Sequence, residues 1–485
     1  MQDTLAQLES LPGRAEAYVD GTWRPSESGR TQAVLDPATG GEVGAVPAMT
    51  APDVDRAVDA AHRAFGSWRK TTAKERSVLL RRWHDLIGEH LEPLARILTA
   101  EQGKPLQEAR NEIRQSQAYI EFFSEETRRL YGETIPANTG DRRLLVQREP
   151  LGVVGVIAPW NFPAAMIARK AGAALAAGCT VVAKPAAETP LSALALAVLA
   201  EAAGIPAGVF NVVTGRGGEI GGAFTAHPLV RKISFTGSTP TGKHLARESA
   251  DTLKHLSLEL GGSAPFIVFD DADVELAVRG VLASKFRNAG QTCVATNRVF
   301  VQRGIAEEFS RRFAEETEKL TVGPGVEDGI QIGPLINEGA AEDVGRMLET
   351  ARSQGARVLA GGERLTGAFV QPTVIADVSD DMDIVRSEIF GPIAPISVFD
   401  DTEEAIARAN DTVYGLAAYF YTNDYRRIVR VSEGLEFGMV GVNESLTTTE
   451  VAPFGGVKDS GYGREGSHFG LEEYTQLKYI CVGGL

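Results

Sequence analysis

Between Gly152 and Gly262 the chain reads Val153-Val154-Gly155-Val156-Ile157, Thr180-Val181-Val182-Ala183, Val209-Phe210-Asn211-Val212-Val213, Lys232-Ile233-Ser234-Phe235 and His255-Leu256-Ser257-Leu258-Glu259, with helix-like stretches between these runs. Short, continuous apolar runs of this kind are buried strands, and their alternation with helical segments specifies a parallel sheet. Leu191 to Ala203, rich in Ala and Leu and stopped by Gly204 and Pro206, is long enough for the right-handed crossover that such a sheet needs. The region reads as a doubly wound α/β domain of the nucleotide-binding type. A second alternating region runs from Ala264 through Glu388 to Val442, with helical patterns near Ala272 to Ala283, Ile305 to Leu320 and Glu403 to Asn410, and reads as a second α/β domain. Upstream, the helical stretches Val54 to Trp68 and Ala73 to Leu98 are expected to pack on the first sheet. Gly132 to Glu149 is extended and polar, and Tyr474 to Val482 has β-type residues; together they read as a small strand element for oligomerisation. The expected division is residues 1–131 with 151–258 for a cofactor, 259–448 for catalysis, and 132–150 with 470–485 for assembly.

Composition narrows the class. A chain of 485 residues is too long for one core, and 43% hydrophobic with 23% charged residues is the balance of a globular protein. Lys and Arg total 49 against 64 Asp and Glu, a net charge of −15 that repels nucleic-acid backbones and anionic membrane surfaces. The start Met1-Gln2-Asp3-Thr4 lacks the basic and apolar regions of a secretory signal, so a cytoplasmic protein is expected. The odd set Cys179, Cys293 and Cys481 is unsuited to a disulfide framework, and the seven His residues show no metal-ligand pairing, so no metal is expected.

The strongest local signal for chemistry is Phe286-Arg287-Asn288-Ala289-Gly290-Gln291-Thr292-Cys293, where a Gly-Gln turn after a helix presents a thiol among polar neighbours. Cys179 leads straight into a core strand and reads as a small buried hydrophobe; Cys481 is equally bland. Taken alone, Cys293 is as easily structural as nucleophilic, and its partners decide. Ala158-Pro159-Trp160-Asn161-Phe162-Pro163 closes the first strand with a rigid turn, at the kind of strand end where open α/β sheets bind ligands. There the Asn161 amide suits an oxyanion, although an Asx turn between two prolines explains it as simply. Glu259, followed by Leu260-Gly261-Gly262, offers a carboxylate that the glycines are expected to leave accessible. The literal GxGxxG at Gly461-Tyr462-Gly463-Arg464-Glu465-Gly466 follows no expected strand and is rejected as a dinucleotide fingerprint. Phe235-Thr236-Gly237-Ser238-Thr239, joining a strand to a helix, is the better pyrophosphate site. The turn Gly217-Gly218-Glu219-Ile220-Gly221 and the cation of Lys184 mark the same sheet edge.

Together these pieces resemble the aldehyde dehydrogenase superfamily across essentially the whole chain, through Pro159 to Pro163, Phe235 to Thr239, Glu259 to Gly262, Gly290 to Cys293, Glu388-Ile389-Phe390-Gly391-Pro392 and Pro453-Phe454-Gly455-Gly456. The resemblance implies an aldehyde dehydrogenase-like fold with Cys293 as nucleophile, Asn161 and the Cys293 backbone N–H as oxyanion hole, and Glu259 as general base. It also implies NAD(P)⁺ bound by Trp160, Lys184, Ala187, Gly217, Gly221, Gly237, Ser238, Leu260, Glu388 and Phe390. A carboxylate at Glu259 disfavours a CoA-acylating member, since those relatives generally lack it.

Ala193 to Phe224 and Ser257 to Gln302 look like the succinate-semialdehyde dehydrogenase branch, which implies a small aldehyde with a distal carboxylate. Arg169 and Arg287 match that branch's carboxylate-binding positions, where guanidinium donors grip both oxygens. Because a desolvated Arg needs an anionic partner, the substrate is expected to supply one. This chain departs from the branch in three places. Ala187 replaces the Glu of NAD⁺-preferring relatives, which removes a repulsion from a 2′-phosphate and points to NADP⁺ with NAD⁺ weaker. Thr448 stands where a substrate-binding Ser is common. Ala295 replaces a second Cys, so a redox switch through a disulfide is not expected. Glutarate semialdehyde or a broader set of aldehydes is the alternative substrate, since one methylene changes pocket affinity by only ~1–3 kcal/mol. A catalytically retired binding protein is the alternative of another class. A homodimer or homotetramer is what the resemblance suggests.

Overall fold

The computed structural model describes residues 2–484, so Met1 and Leu485, the outer ends of the expected segments, lie outside it. All five expected strands between Gly152 and Gly262 form, as Val153–Ile157, Thr180–Lys184, Phe210–Val212, Val230–Thr236 and His255–Glu259. They run parallel, with the first strand flanked by the second and the fourth, so the order through the sheet is third, second, first, fourth, fifth. The strand order therefore reverses between Val153–Ile157 and Val230–Thr236, and the crevice beyond their carboxyl ends is the place such a sheet offers a ligand.

Two additions to this eight-stranded sheet were not foreseen. Ala17–Val19 and Thr22–Arg24 extend one edge as an antiparallel hairpin, and Gly461–Tyr462 pairs antiparallel with His255–Glu259 at the other. The second sheet has seven strands, in the order Arg357–Ala360, Thr373–Ala376, Ile393–Phe399, Thr296–Gln302, Ala264–Val268, Ala417–Tyr421 and Met439–Val442. Only its first edge pair is antiparallel. The third sheet is the long pairing of Thr475–Gly483 with Arg142–Pro150, with Glu133–Ile135 on the far side.

The helix expected over Ala73 to Leu98 is two helices, Ala73–Glu89 and Leu91–Gln102, which meet at His90 and carry the chain round a corner. Gly217 to Gly221 is not a turn but the first turn of the helix Gly217–Ala226; Gly155 on the first strand lets Phe224 of that helix lie against the sheet. The helix Pro163–Ala177, which leaves the Asn161 turn, is buried along its entire length, including Arg169 and Lys170. Among the described residues no helix is long and apolar enough to cross a membrane.

A Cβ at position 155 would sit 2.9 Å from the Phe224 ring. Gly155→Ala is expected to lower stability by about 1–3 kcal/mol, the usual cost of overpacking, measured as a shift in the urea midpoint at constant slope.

Candidate active site

Cys293 sits in a turn between the helix Val274–Phe286 and the strand Thr296–Gln302. Asn288, Ala289 and Gly290 all adopt left-handed backbone, and that tight reversal swings the thiol back toward the first sheet. A Cβ on Gly290 would lie 2.3 Å from the Gly391 carbonyl, so the turn closes only with glycine there. Two cavities meet at the thiol. One, of about 240 Å³, is lined by Trp160, Asn161, Gly237, Ser238, Leu260, Glu388 and Phe390; the other, an inner chamber, by Gln115, Tyr119, Phe162, Arg169, Arg287 and Thr448. Cys293 and Met166 belong to both. The inner chamber opens to an outer vestibule of about 910 Å³ past Gln115, Phe162, Arg287 and Thr448, which line both.

The oxyanion side is braced by a buried polar network absent from the sequence reading. Lys104 Nζ donates to the Asn161 carbonyl and to Glu112 Oε2, both at 2.7 Å, and lies 4.0 Å from the centre of the Phe162 ring. The other Glu112 oxygen accepts from the backbone N–H of Ala164 and Ala165, capping the helix that begins at Pro163. Asn288 Nδ2 also donates to the Asn161 carbonyl, and one Asn161 amide hydrogen goes to the Gln291 carbonyl at 3.0 Å. Asn161 is thus pinned to the Cys293 turn with its second amide hydrogen unused, and among the described residues no carbonyl accepts from the Cys293 backbone N–H, which faces its own thiol.

The base side differs from expectation. Glu259 is 1% exposed, and among the described residues its carboxylate has no hydrogen-bond partner. The glycines after it do not leave it accessible. They admit other groups: a Cβ at Gly261 would meet Glu388 Oε2 at 2.7 Å, and one at Gly262 would meet the Cys293 carbonyl at 2.3 Å. Glu259 is covered instead by Gly461–Tyr462, paired along its own strand, and by Gly455. Burial, then the nearby Glu465, raises its pKa well above the ordinary carboxylate range. Burial likewise pushes the Cys293 thiol up to about 12, with Arg169 working the other way. Burial thus disfavours the charged form of both groups.

Arg169 and Arg287 are both brought to the inner chamber, but they are not equivalent. Arg169 already has its anion: Nε lies 2.6 Å from Glu465 Oε2, and Lys170 pairs with the other oxygen of the same carboxylate. The expectation that a substrate supplies Arg169 with its counter-ion is corrected here. Glu465, in the glycine-rich stretch set aside as a fingerprint, supplies it, because a helix buried on every side cannot carry two cations unpaired. Arg287 lies 4.9 Å from the centre of the Phe162 ring and has no carboxylate at ion-pair distance among the described residues.

The first cavity has what a dinucleotide needs. Glu388 accepts from the Gly262 N–H at 3.0 Å, and burial raises its pKa to about 7. Phe390, in left-handed backbone, meets the Trp160 ring edge-on at 5.4 Å. Ser238 stands at the start of the helix Thr239–Ser249 without a side-chain cap bond and lines the first cavity, which leaves that helix N-terminus beside it. Lys184, at the end of its strand, is 5% exposed; burial lowers its pKa to about 8, with Glu188 opposing, and no carboxylate pairs with it. Gly217 lies next to the Lys184 ammonium, while Gly221 is inside, against Leu245 and Ile157. The Ala187 carbonyl is held by Gln32 Nε2 at 2.9 Å, and Glu188 is exposed. Cys179 is fully buried, with its thiol on the Tyr474 carbonyl, and Cys481 is exposed on the third sheet. No group of three or more His, Cys, Asp or Glu able to hold a metal exists among the described residues.

The aldehyde dehydrogenase family model matches residues 23–480. The chain belongs to that family. It is 54% identical over 97% of its length to a 3-sulfolactaldehyde dehydrogenase of Pseudomonas putida, of which 98% is covered. It is 53% identical, with the same coverages, to the NADP⁺ succinate-semialdehyde dehydrogenase of Escherichia coli and to a glutarate-semialdehyde dehydrogenase of Pseudomonas putida. The structure of a succinate-semialdehyde dehydrogenase from Burkholderia pseudomallei superposes with a TM-score of 0.96 at 52% identity, covering 98% of each chain.

Lys104→Met is expected to lower kcat by roughly 10- to 100-fold, the cost of a displaced oxyanion donor, and to destabilise the fold by leaving Glu112 buried and unpaired. Adding Glu112→Gln should recover melting temperature but not kcat, which separates positioning from folding.

Proposed function

We propose that this enzyme oxidises succinate semialdehyde to succinate with NADP⁺, NAD⁺ serving less well, through a thiohemiacetal and a thioester on Cys293. The observation that carries the substrate class is Arg287: a guanidinium with no carboxylate at ion-pair distance among the described residues, at the neck between the vestibule and the chamber that ends at the thiol. An aldehyde with a distal carboxylate places its anion there while its carbonyl reaches Cys293, and Thr448 on the same neck offers a hydroxyl to the second oxygen. Arg169 stays with Glu465 and contributes its field from the chamber wall.

Cys293 Sγ, its proton lost to solvent under the field of Arg169, adds to the carbonyl carbon, and the oxygen that becomes anionic takes hydrogen bonds from the spare Asn161 amide hydrogen and the Cys293 N–H. A nicotinamide dinucleotide, when bound, supplies the acceptor for the hydride that leaves the thiohemiacetal. Glu259 turns out of its buried position beside Gly455, ionises there and takes the proton from the water that attacks the thioester, and the Cys293 thiolate leaves as the acid is released. Trp160, Lys184, Ala187, Gly217, Gly221, Gly237, Ser238 and Leu260 would hold the adenosine and pyrophosphate side of the dinucleotide, and Glu388 and Phe390 the nicotinamide side. The small residue at Ala187 leaves room for a 2′-phosphate, and the unpaired Lys184 offers it charge. We further infer a cytoplasmic enzyme that assembles as a homodimer or homotetramer through residues 132–150 and 470–485, with residues 1–131 and 151–258 binding cofactor and 259–448 carrying catalysis.

A matrix of C4 and C5 semialdehydes and neutral aldehydes of equal length against NADP⁺ and NAD⁺ tests the reading. The expected result is highest kcat/KM for succinate semialdehyde with NADP⁺; no NAD(P)H from any aldehyde would mark a retired enzyme. Arg287→Ala should cost roughly 10- to 100-fold in kcat/KM for carboxylated aldehydes and little for neutral ones. Because Lys184 loses its proton through about pH 8, kcat/KM for NADP⁺ should fall as pH rises through that value, more than that for NAD⁺.

A further inference from the structure

The inner chamber holds two polar groups that catalysis and the Arg287 neck leave unused. Gln115 and Tyr119 stand one turn apart on the helix Leu106–Glu126, both facing the chamber that contains Cys293. Tyr119 is 1% exposed, and among the described residues nothing accepts the hydrogen of its hydroxyl, whose oxygen faces the Arg169 guanidinium. The cation beside its ring, Arg169, whose guanidinium carbon is 5.6 Å from the ring centre, is a donor-only group that cannot accept the phenol hydrogen. Burial raises the Tyr119 pKa, so the group stays a neutral O–H donor. The Gln115 carboxamide, one helical turn away on the same chamber wall, likewise has no protein partner among the described residues and can both donate and accept. A buried hydroxyl whose hydrogen has no acceptor is costly to a fold, which makes one aimed into a substrate chamber a ligand contact in waiting.

The pair selects a chemistry. A carboxylate could also accept from Tyr119 and from the Gln115 amide N–H, but the distal anion is already placed at Arg287, so the group that meets this pair belongs to the middle of the substrate. A hydroxyl accepts from Tyr119 and donates to Gln115 at once. We propose that Tyr119 and Gln115 form a hydroxyl-recognition subsite, so that the enzyme also takes acid semialdehydes carrying a hydroxyl on the carbons between the aldehyde and the distal anion. This rests on the reading that the distal anion sits at Arg287, because that placement brings the middle of the substrate past Tyr119.

The test compares the wild type with Tyr119→Phe, which removes one oxygen and keeps the packing, using succinate semialdehyde and its 2-hydroxy and 3-hydroxy derivatives at saturating NADP⁺. At least one hydroxy derivative should match or exceed the parent in the wild type. Tyr119→Phe should lower kcat/KM for that derivative about tenfold and leave the parent within about twofold, as expected when a site built for a hydroxyl loses its donor. Wild-type rejection of both derivatives, or an equal loss on all three substrates, would overturn the subsite. Butanal and 3-hydroxybutanal, assayed in parallel, separate the two ideas. If the wild type does not prefer succinate semialdehyde to butanal, the Arg287 reading fails, while the ratio of hydroxylated to plain butanal still reports on Tyr119.

Discussion

One carboxylate holds the site together. Pro163–Ala177 is a helix with no solvent face, yet it carries Arg169 and Lys170 side by side, and neither can be buried charged without an anion. Glu465 meets both, and is itself held below its ordinary pKa because the two cations outweigh its burial. The constraint ties the helix that follows the oxyanion turn to the loop after Gly461–Tyr462, which returns from the far end of the chain to close the edge of the first sheet. It also fixes Arg169 in the chamber wall, against the Phe454 ring at 4.3 Å, and places a negative charge close to Glu259.

The same charge arrangement acts on both reactive groups. Cys293 and Glu259 both resist ionisation because both are buried, and Glu259 faces a like charge as well. Arg169, the cation that favours the thiolate, is already in the chamber wall, so a substrate that fills the chamber and excludes water strengthens its effect.

The first sheet was legible because its strands are apolar on both faces and separated by glycine-stopped helices, a local pattern that does not depend on the rest of the chain. Cys293, Asn161 and the Phe235 to Thr239 junction could likewise be picked out, since each sits where a strand or helix ends, whereas Glu388 came only with the family resemblance; the structure brings them to two cavities that share the thiol. What could not be read depends on contacts distant in sequence. Ala17–Val19 pairs with Phe210–Val212, and nothing in a three-residue strand announces such a partner. Gly217 to Gly221 was misread because its three glycines over-weigh the helix that Phe224 and Ile220 pin to the sheet. Glu465 was passed over because its stretch fails as a dinucleotide fingerprint. A signal for it did exist: Lys170 lies in a run of Ala and Gly with no polar face, and a cation in such a helix must find a buried anion. Tyr119 gave none, since an aromatic at helical spacing is ordinarily core.

The account stands on a covalent intermediate at one of three thiols. Glu259→Gln, incubated with succinate semialdehyde and NADP⁺ and digested for mass spectrometry, removes the base that would clear the thioester. The account predicts a succinyl group on the peptide containing Cys293, with Cys179 and Cys481 unmodified. A Cys293 peptide that stays unmodified while NADPH is formed would contradict it.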